Sequence, residues 1–268
     1  MGSPHKDPRA HILENDPFQT SSNSIPSIRV IYQTSTSIPT SPRLWHFSKT
    51  ELQHLSMASI GFTLALGFMS VGGILTLPSY GIGYWLLLLL QMTPLMAIAV
   101  GPAFILHEIG HKLIARKNGC WAEFRADPRG IQQGVFISLL FGIVFMAPGA
   151  VMVAGNVNRR QNGHIAIAGP ITNAMLVVFG IIMGSILLGL FGDTFIIHTI
   201  LFAWLWSNTI LGLFNMIPFG PLDGLKVKQW SEFAFYTMIV IFCIPILSVL
   251  SNGPGLFDIT LMLSELIF

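Results

Sequence analysis

Six apolar stretches, at residues 57–77, 82–106, 134–153, 165–191, 195–217 and 233–250, leave little of this chain free to form a soluble fold. A helix that crosses a bilayer needs about 20 apolar residues, and most of these stretches have that length. Inside hydrocarbon the backbone must satisfy its own hydrogen bonds, so such stretches fold as helices. The expected fold is an all-α polytopic membrane protein with about five to six transmembrane helices. A last apolar piece at 256–268 is too short to count as a span. Charged residues make up only 10% of the chain, against roughly a quarter in ordinary soluble domains, so the lipid bilayer is the expected surroundings. The formal charge of +2 gives no electrostatic basis for binding nucleic acid. Cys120 and Cys243 form no disulfide framework.

Basic residues set the expected orientation. Arg43 and Lys49 precede the first stretch, the turn at 78–83 carries no charge, and Lys112, Arg116, Lys117, Arg125 and Arg129 follow the second. By the positive-inside rule this is a multi-pass protein of the cell membrane with a cytoplasmic N-terminal tail. Residues 1–50, rich in Ser, Thr, Pro and Asn, read as a polar, largely disordered tail with a short strand at 28–32. Residues 51–268 form the membrane domain. His5, His11 and His46 have no ligand spacing and are expected to be solvated. If 134–153 crossed the membrane, Arg159 and Arg160 would lie outside, against the charge rule. The Ala147-Pro148-Gly149-Ala150 break instead suggests a re-entrant hairpin that dips in and returns.

The second stretch ends in His107-Glu108-Ile109-Gly110-His111. On a helix this spacing puts two imidazoles on one face with a carboxylate beside them, the arrangement used by hydrolytic zinc sites. Two histidines near lipid headgroups would give the same letters. Ionisable groups within an apolar stretch are costly, however, and three together need a cavity, a partner or an ion. About 14 Å of helix separates His107 from the basic pair Arg116-Lys117, so the expected site lies below the headgroups.

Hydrolytic zinc sites have three protein ligands, and candidates for the third are few. Glu123 and Asp127 lie among arginines, where surface ion pairs are expected; His164 and His198 start apolar stretches; Cys120 has no second cysteine nearby. Asp223 stands apart. It follows the fifth stretch in Asn215-Met-Ile-Pro218-Phe-Gly-Pro221-Leu-Asp223-Gly224, where the prolines stop the helix and irregular backbone can aim a carboxylate inward. If 134–153 does not cross, Asp223 emerges on the same membrane face as the histidines.

With these motifs in order, the chain resembles the site-2 protease family of intramembrane zinc metalloproteases. His107 to His111 match its HExxH motif; Asn215, Pro218, Asp223 and Gly224 match its N-x-x-P-x-x-x-x-D-G motif; Gly169 and Asn173 match its G-x-x-x-N element. The likeness runs from about residue 52 to 230, is greatest to the short prokaryotic-type members, and shows no PDZ or CBS module. It implies one Zn2+ per chain, held by His107, His111 and Asp223, with Glu108 as catalytic base. It also implies a transmembrane protein or peptide substrate, and a small re-entrant or β element between the HExxH helix and the next span. Asn173 then serves the oxyanion or substrate, or else a buried helix–helix hydrogen bond. Asn215 touches substrate backbone or fixes the proline turn, with the turn favoured. Residues 148–153 or 121–126 could offer a strand edge to an unwound substrate. Two competing readings are a membrane zincin with Glu123 or Glu232 as third ligand, and a metal transporter or scaffold using the same histidines.

Overall fold

The computed structural model describes residues 44–146 and 148–267. The expected strand at 28–32, and His5 and His11, lie outside them. The order is α1 (Lys49–Ser70), a 3-10 turn (Ile74–Thr76), α2 (Leu77–Tyr80), α3 (Ile82–Lys117), β1 (Trp121–Ala126), α4 (Pro128–Phe141) and β2 (Gly149–Ala154). There follow α5 (Arg159–Phe191), α6 (Phe195–Asn215), α7 (Asp223–Trp230), α8 (Glu232–Leu250) and α9 (Leu256–Ile267). Side-chain caps begin several of them: Ser48 accepts from the Glu51 N–H, and Asn158 and Gln161 form a reciprocal capping box at the start of α5.

Five segments of the described chain are long and apolar enough to cross a bilayer: Lys49–Tyr80, α3, α5, α6 and α8. Their outer faces expose large side chains such as Leu90, Phe179 and Ile244, a surface that suits lipid and not water. The protein is membrane-embedded and mostly helical.

The stretch 134–153 is neither a span nor a simple hairpin. Its first part is the end of α4, a 14-residue helix of about 21 Å, short of the ~30 Å hydrocarbon core. Gly142 ends α4 with φ 67°, and a Cβ there would meet the Gly72 carbonyl carbon at 2.4 Å, so both conformation and space require glycine. The chain then returns as β2. The final piece, α9, has 12 residues and also cannot span. It docks on α5 and α6, with Ser185 Oγ donating to the Thr260 carbonyl at 3.0 Å and Leu256 and Phe257 packed with Leu188, Leu201 and Leu205.

β1 and β2 pair antiparallel from Trp121↔Ala154 to Ala126↔Gly149. The Asp127 N–H donates to the Pro148 carbonyl, 3.0 Å, which fixes the phase of the ladder: residues 121, 123 and 125 bond to β2, and 122, 124 and 126 face the other way. That outer edge of β1 is occupied by side chains. The Phe124 N–H donates to Glu51, the Ala126 N–H to His54, and Arg116 donates to the Ala122 carbonyl. On β2 the outward groups are those of Gly149, Val151 and Val153, and they face the histidine end of α3.

Two of the basic residues used for topology do not face a headgroup layer. Lys112 and Arg116 are buried, Lys112 at 1% exposure against Glu51 and Arg116 against β1.

Candidate metal centre

α3 places His107 and His111 one turn apart, with ring centroids 4.7 Å apart and the planes nearly perpendicular. Each imidazole is held from behind. Nδ1 of His107 lies 2.5 Å from Asn173 Oδ1, and Nδ1 of His111 lies 2.7 Å from the Ile165 carbonyl. Both partners are on α5 and both are acceptors, so each Nδ1 carries the proton and each Nε2 presents a lone pair. Asn173 is itself fixed. Its Nδ2 donates to the Ala103 carbonyl at 3.2 Å and to Asn208 Oδ1 at 2.9 Å, while Asn208 donates to the Trp204 carbonyl. The amide of Asn173 is fully buried, and both its N–H groups donate to partners on α3 and α6.

Asp223 arrives from the other side. It is the first residue of α7, and Gly224 behind it is required by space, since a Cβ there would lie 2.1 Å from the Met216 carbonyl oxygen at the end of α6. Two contacts tie α7 to the start of α5: Trp230 packs on Gly163, and Arg159 bonds to the Gln229 carbonyl. Asp223 Oδ2 thereby comes within 3.0 Å of His111 Nε2 and 3.4 Å of His107 Nε2. The two Nε2 atoms are 3.0 Å apart.

Three groups that can each present a lone pair thus converge, a cluster that needs a cation within it, a metal ion or a proton on Nε2. Ligands at about 2.0–2.1 Å around a tetrahedral zinc lie roughly 3.3 Å from one another, close to the separations found here. Space is kept for the ion as well. Any side chain at Gly169 would put its Cβ 2.5 Å from both Nε2 atoms. His107, His111 and Asp223, all buried, are the single group of three or more such side chains able to hold a metal among the described residues.

The remaining candidates lie elsewhere. Glu123 pairs with Arg125 at 2.6 Å and accepts from Ser48; Asp127 caps α4; Glu232 sits in the first turn of α8. Cys120 packs with Ala115, Ala122, Val153 and Ile165, and burial pushes its thiol pKa up, away from the thiolate a metal needs. Glu108, 9% exposed, faces the backbone N–H of Val151 on β2. Asn215, last residue of α6, bonds back to the Leu211 carbonyl and lines the cavity over the histidines. That cavity, about 170 Å³, is bounded by Glu108 and the ligands, by Gly149 to Val151 of β2, and by the apolar side chains of Phe62, Phe104 and Phe214. Asn208 belongs to none of the sequence motifs. An amide within an apolar helix was the available signal.

The chain is 38% identical over 199 residues to MJ0611 of Methanocaldococcus jannaschii, which is named as a zinc metalloprotease; the match covers 71% of this chain and 89% of that protein. It is 24% identical over 184 residues to YwhC of Bacillus subtilis, also named as a zinc metalloprotease, covering 59% of this chain and 84% of that one. No family model and no solved structure matches the chain. The extent of the first match, the buried donor set fitted to zinc and the three ordered motifs agree on one origin. The chain belongs to the site-2 protease family of zinc metalloproteases.

Proposed function

We propose that the protein is an intramembrane endopeptidase, hydrolysing peptide bonds in or beside the transmembrane segments of membrane-protein substrates. The observation that carries this reading is the address of the donor set. His107, Glu108 and His111 lie within a membrane-spanning helix, from about 15 Å to about 9 Å short of Lys117 at its end, and border a cavity with the outward edge of β2 along one wall.

When bound, zinc supplies Lewis acidity, polarising a carbonyl and lowering the pKa of a water towards about 7. Glu108 is not in the ligand set, so its carboxylate is available as the general base, taking a proton from water and delivering it to the leaving amine. The Val151 N–H faces that carboxylate. Asn173 serves as a positioning residue that fixes the His107 tautomer. An unwound substrate segment pairs with Gly149, Val153 and the Val151 carbonyl, which satisfies backbone groups that would otherwise be bare in the membrane. By the positive-inside rule, Lys117, Arg125, Arg129, Arg159 and Arg160 favour a cytoplasmic opening of the site and a cytoplasmic N-terminal tail.

The test is purification of the full-length chain in detergent as wild type, Glu108→Gln and Asp223→Asn. Bound zinc and cleavage of a single-span transmembrane peptide are then measured. Glu108→Gln should keep zinc and lose ~10²–10⁴-fold in cleavage, whereas Asp223→Asn should lose both. Unreduced cleavage by Glu108→Gln, or zinc transport into vesicles that survives this substitution, overturns the reading.

A further inference from the structure

Among the described residues, one side-chain polar atom is buried with no hydrogen-bond partner: Oδ1 of Asn162. The residue lines the same cavity as His107, Glu108 and Asp223. Asn162 stands in the first turn of α5, and its surroundings are rigid. The capping box of Asn158 and Gln161 precedes it, Gly163 beside it is packed against Trp230, and its own N–H is used by the Asn158 carbonyl. Buried acceptors in folded proteins are nearly always satisfied, and an orphan in a residue that lines a cavity calls for a donor, water or ligand, that the fold itself does not supply. The cavity must receive a peptide backbone, whose N–H groups are the donors such an acceptor fits.

We propose that Asn162 is a substrate-positioning residue, its Oδ1 accepting a hydrogen bond from a backbone N–H of the extended substrate. A strand paired with β2 satisfies its backbone groups on one side only; the N–H groups turned away from β2 still need an acceptor in a site that excludes water. Asn162 supplies one from α5. The inference rests on the peptidase reading, and binding is therefore measured apart from turnover.

The probe is a fluorescein-labelled single-span peptide with a Gly-Gly break in its apolar segment. It is titrated by anisotropy into the full-length, zinc-loaded Glu108→Gln chain, alone and combined with Asn162→Leu or Asn162→Asp. Leucine keeps the shape and removes the acceptor, whereas aspartate keeps the acceptor. Asn162→Leu should weaken binding ~5–10-fold with zinc content unchanged, and Asn162→Asp should stay within about twofold. A series of peptides with one amide replaced by an ester then removes N–H groups singly. One ester should weaken binding to the Asn162 chain and make no difference to Asn162→Leu, a result that a purely structural role does not produce. Equal binding by Asn162 and Asn162→Leu, or an ester penalty that persists in Asn162→Leu, overturns the assignment, as does a peptide that fails to bind at all. Normal binding without cleavage by the wild type overturns the peptidase reading and leaves this one standing.

Discussion

Lys112, the residue after the second histidine, is buried against Glu51 of α1 with Nζ 2.5 Å from Oε2, and the other oxygen of the same carboxylate accepts the Phe124 N–H of β1 at 3.1 Å. One side chain thus ties together the first helix, the histidine-bearing helix and the sheet. Lys112 also donates to the His46 carbonyl and lies 3.5 Å over the ring of Phe47, so the entry to α1 is fastened to the same point.

Removing one partner of a buried ion pair strands the other charge, while replacing both can be neutral. Glu51→Leu should therefore destabilise the chain by ~3–5 kcal/mol, and Glu51→Leu with Lys112→Met should recover most of the loss. Thermal unfolding in detergent measures both. A double variant no more stable than the single one would show that the clamp matters through the Phe124 hydrogen bond and not through charge.

Asn208 reaches the metal centre through two hydrogen bonds, Asn208 to Asn173 and Asn173 to His107. Groups that orient a metal-bound imidazole from behind are worth ~10–100-fold in metal affinity. Asn173→Leu should show that full loss, and Asn208→Leu a smaller loss in the same direction. Competition with a fluorescent zinc chelator reads both. Equal affinity in wild type and Asn173→Leu would remove the orienting role.

Glycine at 169 is set by the site and not by the helix. Gly169→Ala places a methyl 2.5 Å from both Nε2 atoms, and the imidazoles cannot yield without breaking their bonds to Asn173 and Ile165. Zinc binding and cleavage should be abolished while α5 stays helical. Gly101→Ala on α3 is the control: nothing lies within 4 Å of a Cβ there, so zinc is kept and stability rises by up to ~1 kcal/mol through helix propensity. Zinc retained by Gly169→Ala at wild-type affinity would mean that the ion sits elsewhere.

What could be read from the sequence was whatever lay within one element or followed from counting crossings. His107 and His111 are neighbours by helical spacing alone, and Asp223 joins them once 134–153 is denied a crossing. Hydropathy could not resolve that stretch, because an apolar α4 end and an apolar strand add to the same window as a span. Lys112 and Arg116 look like topological charges in the sequence for a related reason: the carboxylate that buries Lys112 is 61 residues away, and local composition holds no sign of it. Asn208 escaped notice because its partner, Asn173, is 35 residues distant on another helix.

The ladder phase turns the proposed role of β2 into a test with two neighbouring positions. Met152 faces Glu123 in a hydrogen-bonded pair, so Met152→Pro removes a bond that holds the sheet together. Val153 faces outward, and Val153→Pro leaves the ladder intact while deleting one N–H from the free edge. Met152→Pro should lower the unfolding temperature. Val153→Pro also trims a side chain packed on Cys120 and Ile165, so it should lose some stability but less than Met152→Pro, keep zinc, and lose cleavage several-fold, the expected effect of one lost backbone bond to substrate. If the two variants unfold alike and cleave alike, substrate does not pair with this edge, and β2 serves only to cover Glu108.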